Sequence, residues 1–217
     1  MSNFFDLDAP LWAWLTEVAD IMLISIYWWI CSIPIITIGA STTSLFYVLG
    51  KKIRKEPVYV TKDYFTSFKD NFKQSIPISI LLIIAWVSCI LYFLLGLDGI
   101  LTQNITGMMK VIIPLAIVFI FETIHISIYV CAVFSRFNMK TYTIFTTAFV
   151  LAHRHLLTTL INTLILYVGF MLFLKAPFLV LVMPGAVVGM MSFLIQKIFT
   201  KYIETQNESE NILAKEQ

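Results

Sequence analysis

Charge is scarce in this chain. Asp, Glu, Lys and Arg make up 13% of its 217 residues, against roughly 25% in an ordinary soluble domain. Cysteine is scarcer, with Cys31, Cys89 and Cys131 alone. No two of them form a CxxC pair, so a short-spaced thiol or zinc motif is excluded and a disulfide framework is unsupported. The three read as small buried fillers of apolar runs. No basic segment and no early apolar run open the N-terminus, where Asp6 and Asp8 precede Trp12. A cleaved signal peptide is therefore not expected. Phosphate-binding loops, kinase signatures, HExxH, GxSxG and CxxCH are all missing, as are paired acids suited to glycoside hydrolysis. Nothing converges into an acid–base set, so the reading leans away from an enzyme and calls for no cofactor. Nucleic-acid binding lacks a domain to carry it.

What the chain has instead is apolar side chain: 59% of its residues, including 18 Phe. One soluble core of this size could not bury that much, and lipid supplies the difference. A bilayer core takes about 20 apolar residues per helix. Five runs qualify, at about 21–38, 76–97, 108–133, 156–174 and 177–196. The expected fold is all-α, a polytopic transmembrane bundle of five spans in one domain, 1–203, with a short polar tail, 204–217. Pro34 and Gly39 mark the end of the first run. Beyond them, 39–49 is a small, hydroxyl-rich piece containing Ser41, Thr42, Thr43 and Ser44, which either continues as helix or folds back on the bundle. Gly96, Asp98 and Gly99 read as the turn after the second run.

Basic residues fix an expected orientation. With the N-terminus outside, 13 of the 15 Lys and Arg fall inside: Lys51, Lys52, Arg54, Lys55, Lys62, Lys69, Lys73, Arg136, Lys140, Arg154, Lys197, Lys201 and Lys215. Only Lys110 and Lys175 fall near the outer side, so the positive-inside rule is followed. The C-terminus is then cytoplasmic. Asp6, Asp8, Glu17 and Asp20 fall outside. Two cytoplasmic stretches look interfacial. In 61–73, Tyr64, Phe65, Phe68 and Phe72 recur at helical spacing between charged residues; in 134–149, Tyr142, Phe145 and Phe149 do so. Lys62 and Tyr64 match Lys140 and Tyr142 at an offset of 78, a weak sign of internal duplication. The stretch 7–20 is also amphipathic, with Asp8 placed to cap it.

Glu122 is the sharpest candidate for chemistry. An acid in mid-span is expensive unless it faces protein or water, and His125, three residues on, shares its helix face. The pair reads either as a proton-linked or substrate site, or as a polar tie between helices. A metal site would need matching ligands on other helices, and no second Glu-x-x-His exists. His153, Arg154 and His155 form a compact cluster that either binds an anion or acidic partner, or flanks the span. Gly185 and Gly189 make a GxxxG, a close-packing motif within the chain or in a homo-oligomer.

Two segments carry a family likeness: Pro34-Ile35-Ile36-Thr37-Ile38-Gly39-Ala40, and Phe65 with Phe68-Lys69-Asp70-Asn71-Phe72-Lys73-Gln74-Ser75. They resemble motifs of the YesL-like family of small bacterial integral membrane proteins, over about residues 3–203. The resemblance implies that Pro34, Thr37, Gly39, Phe68, Asn71, Phe72 and Lys73 are family-defining. It also implies a bacterial cell-membrane protein encoded near carbohydrate-uptake genes. The expected role is an accessory or scaffold component beside an ABC transporter or membrane sensor, in contact with membrane lipids. The alternative is a small oligomeric transporter or channel using Glu122.

Overall fold

A proline decides where the first helix stops. Pro34 has no N–H to donate and restricts Ile33 ahead of it. In the computed structural model, which describes residues 10–101, 107 and 109–215, α1 (Pro10–Ser32) ends just before it. A 3-10 turn at Ile35–Thr37 then reverses the chain, and α2 (Ile38–Ile53) runs back along α1. Trp28 Nε1 donates to Thr42 Oγ1 at 3.0 Å, and Ser41 Oγ donates to the Trp28 carbonyl at 3.1 Å. At the far end of the hairpin Lys52 pairs with Glu17 at 2.9 Å and with Asp20.

The rest of the chain is α3 (Val60–Leu101), α4 (Met109–Arg136), α5 (Thr141–Arg154), α6 (Leu156–Lys175) and α7 (Met183–Lys215). A 3-10 turn at Pro177–Leu181 precedes α7. All regular elements among the described residues are helical. Five of them are long and apolar enough to cross a membrane, at Trp14–Ser32, Val60–Leu97, Lys110–Arg136, Leu156–Lys175 and Met183–Glu208. Large apolar side chains such as Leu91, Phe93, Leu115 and Leu164 point outward. In water that surface would be a liability; in lipid it is the solvated face, while the helices satisfy their own backbones. The chain is a multi-pass, all-α membrane protein.

Five helices long and apolar enough to cross match the expected number. The shorter α2, however, returning along α1 to the side where α1 starts, makes a sixth pass through the bundle, and several other details change. The first apolar helix lies earlier than 21–38, because the Ser32–Thr37 break cuts that run short. The stretch 61–73 is no separate surface helix. It is the beginning of α3, which runs through Pro77 without a break for about 63 Å at 1.5 Å per residue. That is about twice the hydrocarbon thickness, so its charged end, with Lys69, Asp70 and Lys73, extends beyond the lipid core. Tyr64 is buried, whereas Phe65 and Phe72 are exposed. The Gly96–Gly99 turn is absent, since the helix continues through Leu101. The second stretch does form its own helix, α5, but its packed face is Ile144, Ala148, Leu151 and Ala152. Tyr142 and Phe149 face outward. The likeness at an offset of 78 therefore joins a continuous helix to a broken one. From Pro10 onward the 7–20 segment is part of α1, while its residues 7–9 and Asp6 lie outside the described residues. Helical structure in α7 reaches Lys215, through most of the expected tail.

The orientation argument also needs correction. Glu17 and Asp20 cannot lie outside while Lys52 lies inside, because their side chains touch. The start of α1 and the end of α2 share a side. Lys51 pairs with Asp63 at 2.9 Å. Arg54 holds Glu56 through Nε at 2.6 Å and Nη2 at 3.0 Å, and reaches Gln196 of α7 at 3.1 Å. Arg136 of α4 lies 3.7 Å from Glu56. The same end of the molecule thus gathers α1, α2, α3, α4 and α7.

Close helix contact depends on one glycine of the GxxxG. The Gly185 N–H donates to Ser25 Oγ at 2.9 Å. A Cβ at 185 would stand 2.6 Å from that Oγ and 2.8 Å from the Ile21 carbonyl, whereas at Gly189 it would meet only Leu49 Cδ2, at 3.9 Å. Gly185→Ala should therefore lower stability by about 1–3 kcal/mol through overpacking. Gly189→Ala should be neutral or gain up to about 1 kcal/mol from lower chain entropy. Thermal unfolding of the two variants in detergent checks the contrast.

Candidate functional site

The two family-like segments meet at one helix crossing. Thr37 Oγ1 lies within hydrogen-bonding reach of the Pro34 carbonyl, at 2.6 Å, and of the Cys31 carbonyl, which secures the bend. Gly39 then lies directly against Ser79 Oγ and near the Ser75 carbonyl of α3. Lacking a Cβ, it lets the two helices approach. On the α3 side Asn71 Nδ2 donates to Ser67 Oγ at 3.2 Å and the Phe68 and Phe72 rings are 5.7 Å apart. Lys73 is exposed. These residues build a contact and its polar edge.

The hydroxyl run in α2 also packs helices together. Ser41 Oγ uses its proton on the Trp28 carbonyl, so at 2.7 Å it accepts from the buried Tyr64 hydroxyl. Ser44 Oγ donates to the Ala40 carbonyl at 2.8 Å. Ten residues of α2, from Gly39 to Gly50, are buried, and the helix touches α1, α3, α4 and α7.

Glu122 and His125 share a helix, but each turns to a different neighbour. His125 Nε2 is 2.9 Å from Thr163 Oγ1. That hydroxyl donates to the Thr159 carbonyl, so it accepts from the imidazole. Glu122 Oε2 lies 3.4 Å from His153 Nε2. The sequence separates these two residues into different clusters; the return of α5 along α4 joins them. His153 Nδ1 is 2.9 Å from the Phe149 carbonyl, which can only accept, so Nδ1 carries a hydrogen. Glu122 and His153 thus pair through Oε2 and Nε2. Their side chains are 34% and 42% exposed, which places the pair at the edge of the α4–α5 contact.

The rest of the basic cluster points elsewhere. His155 Nε2 is 3.1 Å from the Tyr202 hydroxyl, and the Arg154 guanidinium stacks over the same ring. Burial, with Arg154 and Lys201 adding to it, holds the His155 imidazole below its ordinary pKa. His153 on one hand and Arg154 with His155 on the other therefore turn to different partners. Among the described residues no three His, Cys, Asp or Glu side chains gather into a metal-holding group.

Sequence reasoning missed the network around Glu56, whose carboxyl the Arg54 guanidinium holds below the usual range. The only signal was the run Lys51, Lys52, Arg54 and Lys55, which counted toward sidedness but gave no partners.

A family model described as "Protein of unknown function, DUF624" matches residues 21–94. That stretch runs from within α1 through the α2–α3 crossing. The DUF624 family includes YesL-like proteins, so the match agrees with the resemblance at that wider level. No curated protein and no solved structure matches the chain.

The Glu122–His153 contact makes a specific prediction. Glu122→Gln keeps a donor for His153 Nε2 and should leave thermal stability nearly unchanged. His153→Leu strands a shielded carboxyl oxygen and should cost about 1–3 kcal/mol. Unfolding midpoints of the two variants, measured side by side, check the order.

Proposed function

We propose that this chain is an accessory or scaffold component of the bacterial cell membrane that packs beside a transporter or sensor serving carbohydrate uptake. The single observation behind the scaffold reading is the buried α2, which fills the middle of the bundle and touches four other helices. The most polar intramembrane pair, Glu122 and His153, stands at an edge contact. Two clefts, one near Gln74 and Asn138–Thr141 and one between α2 and α7, have neither Glu122 nor His125 in their lining. The carbohydrate setting rests on the YesL-like resemblance, and the DUF624 match is compatible with it. In this reading the basic end of the bundle is cytoplasmic, together with the start of α1 and the charged end of α7. Lys and Arg set sidedness, while acids contribute little, so moving Glu17 and Asp20 inside leaves the rule intact.

One observation favours the alternative, a small oligomeric transporter or channel. Asn162 of α6 is fully buried, and neither its Nδ2 nor its Oδ1 has a hydrogen-bond partner among the described residues. Water or a substrate hydroxyl would satisfy such atoms.

Purification in mild detergent, followed by identification of bound proteins and by flux assays in vesicles, separates the two. The scaffold reading predicts stoichiometric membrane subunits of a sugar importer or sensor and no intrinsic flux. Isolation of the chain alone, with sugar flux lost in Glu122→Gln, would replace it with the transporter reading.

A further inference from the structure

Along one face of α7 the side chains change character in step. Phe193 comes first, half exposed, then Lys197, then Thr200 and Lys201, and Glu204 last. Across from them stand Ile53 and Arg54, at the end of α2, and the eight residues Ile53, Arg54, Phe193, Gln196, Lys197, Thr200, Lys201 and Glu204 line one open cleft. Its wall is apolar toward the membrane span and cationic where the apolar stretch of α7 gives way to charge.

The cations are positioned. Two hydrogen bonds to Glu56 hold Arg54, and a third, from Nη1, ties it to Gln196. Lys197 Nζ lies 4.3 Å above the Phe193 ring, drawn up beside the apolar wall. Neither Lys197 nor Lys201 forms an ion pair with an acid among the described residues. With Arg54 offset by Glu56, Lys197 and Lys201 against the single carboxylate Glu204 still leave the cleft with excess positive charge.

We propose that this cleft binds the phosphate of an anionic phospholipid, with Lys197 and Lys201 meeting the headgroup and Phe193 and Ile53 lying against the start of the acyl chains. A free phosphate compound would be attracted by the same cations. The order of the lining, apolar and then cationic along the helix axis, is what selects a lipid. Lysines near an anionic surface contribute enough attraction that losing two should weaken binding on the order of 30-fold.

Native mass spectrometry of the full chain in detergent, titrated with phosphatidylglycerol or phosphatidylcholine, tests the proposal. Phosphatidylglycerol should bind much more tightly. The preference should disappear in K197Q/K201Q and persist in K69Q/K73Q, which removes the same charge from the exposed face of α3. Excess inorganic phosphate should not displace the lipid. Equal binding of the two lipids, equal loss in both double variants, or displacement by inorganic phosphate would each overturn the assignment.

Discussion

The structure depends on holding a small, uncharged helix in the middle of the bundle and fastening it at one end. From Gly39 to Gly50, α2 presents glycine, alanine, serine and threonine beside a few larger apolar residues, so neighbouring backbones can come close. Immediately beyond, Lys51, Lys52 and Arg54 reach Asp63 on α3, Glu17 and Asp20 on α1, and Gln196 on α7. Glu56 extends the same ties to Arg136 of α4. Lys51, Lys52 and Arg54, with Asp20 and Asp63, are partly shielded, so their attraction is less screened than that of fully exposed pairs. Separating α1, α3 or α4 from this end would leave charge without its partner near lipid.

Much of this was legible in the residues and some was not. The apolar runs give the crossing helices because a hydrocarbon core imposes their length, and outward-facing side chains such as Leu164 and Phe93 follow from that. Pro34 announces the bend. The residues leave the path of α2 after the bend open, since small hydroxyl side chains suit either a continued helix or a return. What decides it is contact between residues far apart in sequence, Lys52 with Glu17 and Trp28 with Thr42. No hydropathy pattern encodes these.

The charge count shows why a correct rule can give an incomplete topology. Lys51, Arg54, Arg136 and Lys201, basic residues that the positive-inside rule groups on one side, lie at one end of the fold. Glu17 and Asp20 read as lying on the opposite side only because they precede the first apolar run. Glu122 is a similar case. Its helix and its expense in lipid were readable, and His125 was the natural partner by spacing. Only the antiparallel return of α5 brings His153 to it, 31 positions further along the chain. Gly185 and Gly189 look equivalent in the motif, yet only the first has a helix backbone pressed against it.

The account stands most directly on the sidedness of the α1–α2 hairpin. In a variant with Cys31, Cys89 and Cys131 replaced by alanine, single cysteines at Glu17 and Lys55 can be challenged in intact cells with a membrane-impermeant maleimide, and again after the cells are opened. The hairpin predicts that both stay unlabelled until the cells are opened. Labelling of the Glu17 position in intact cells while the Lys55 position stays protected would contradict it.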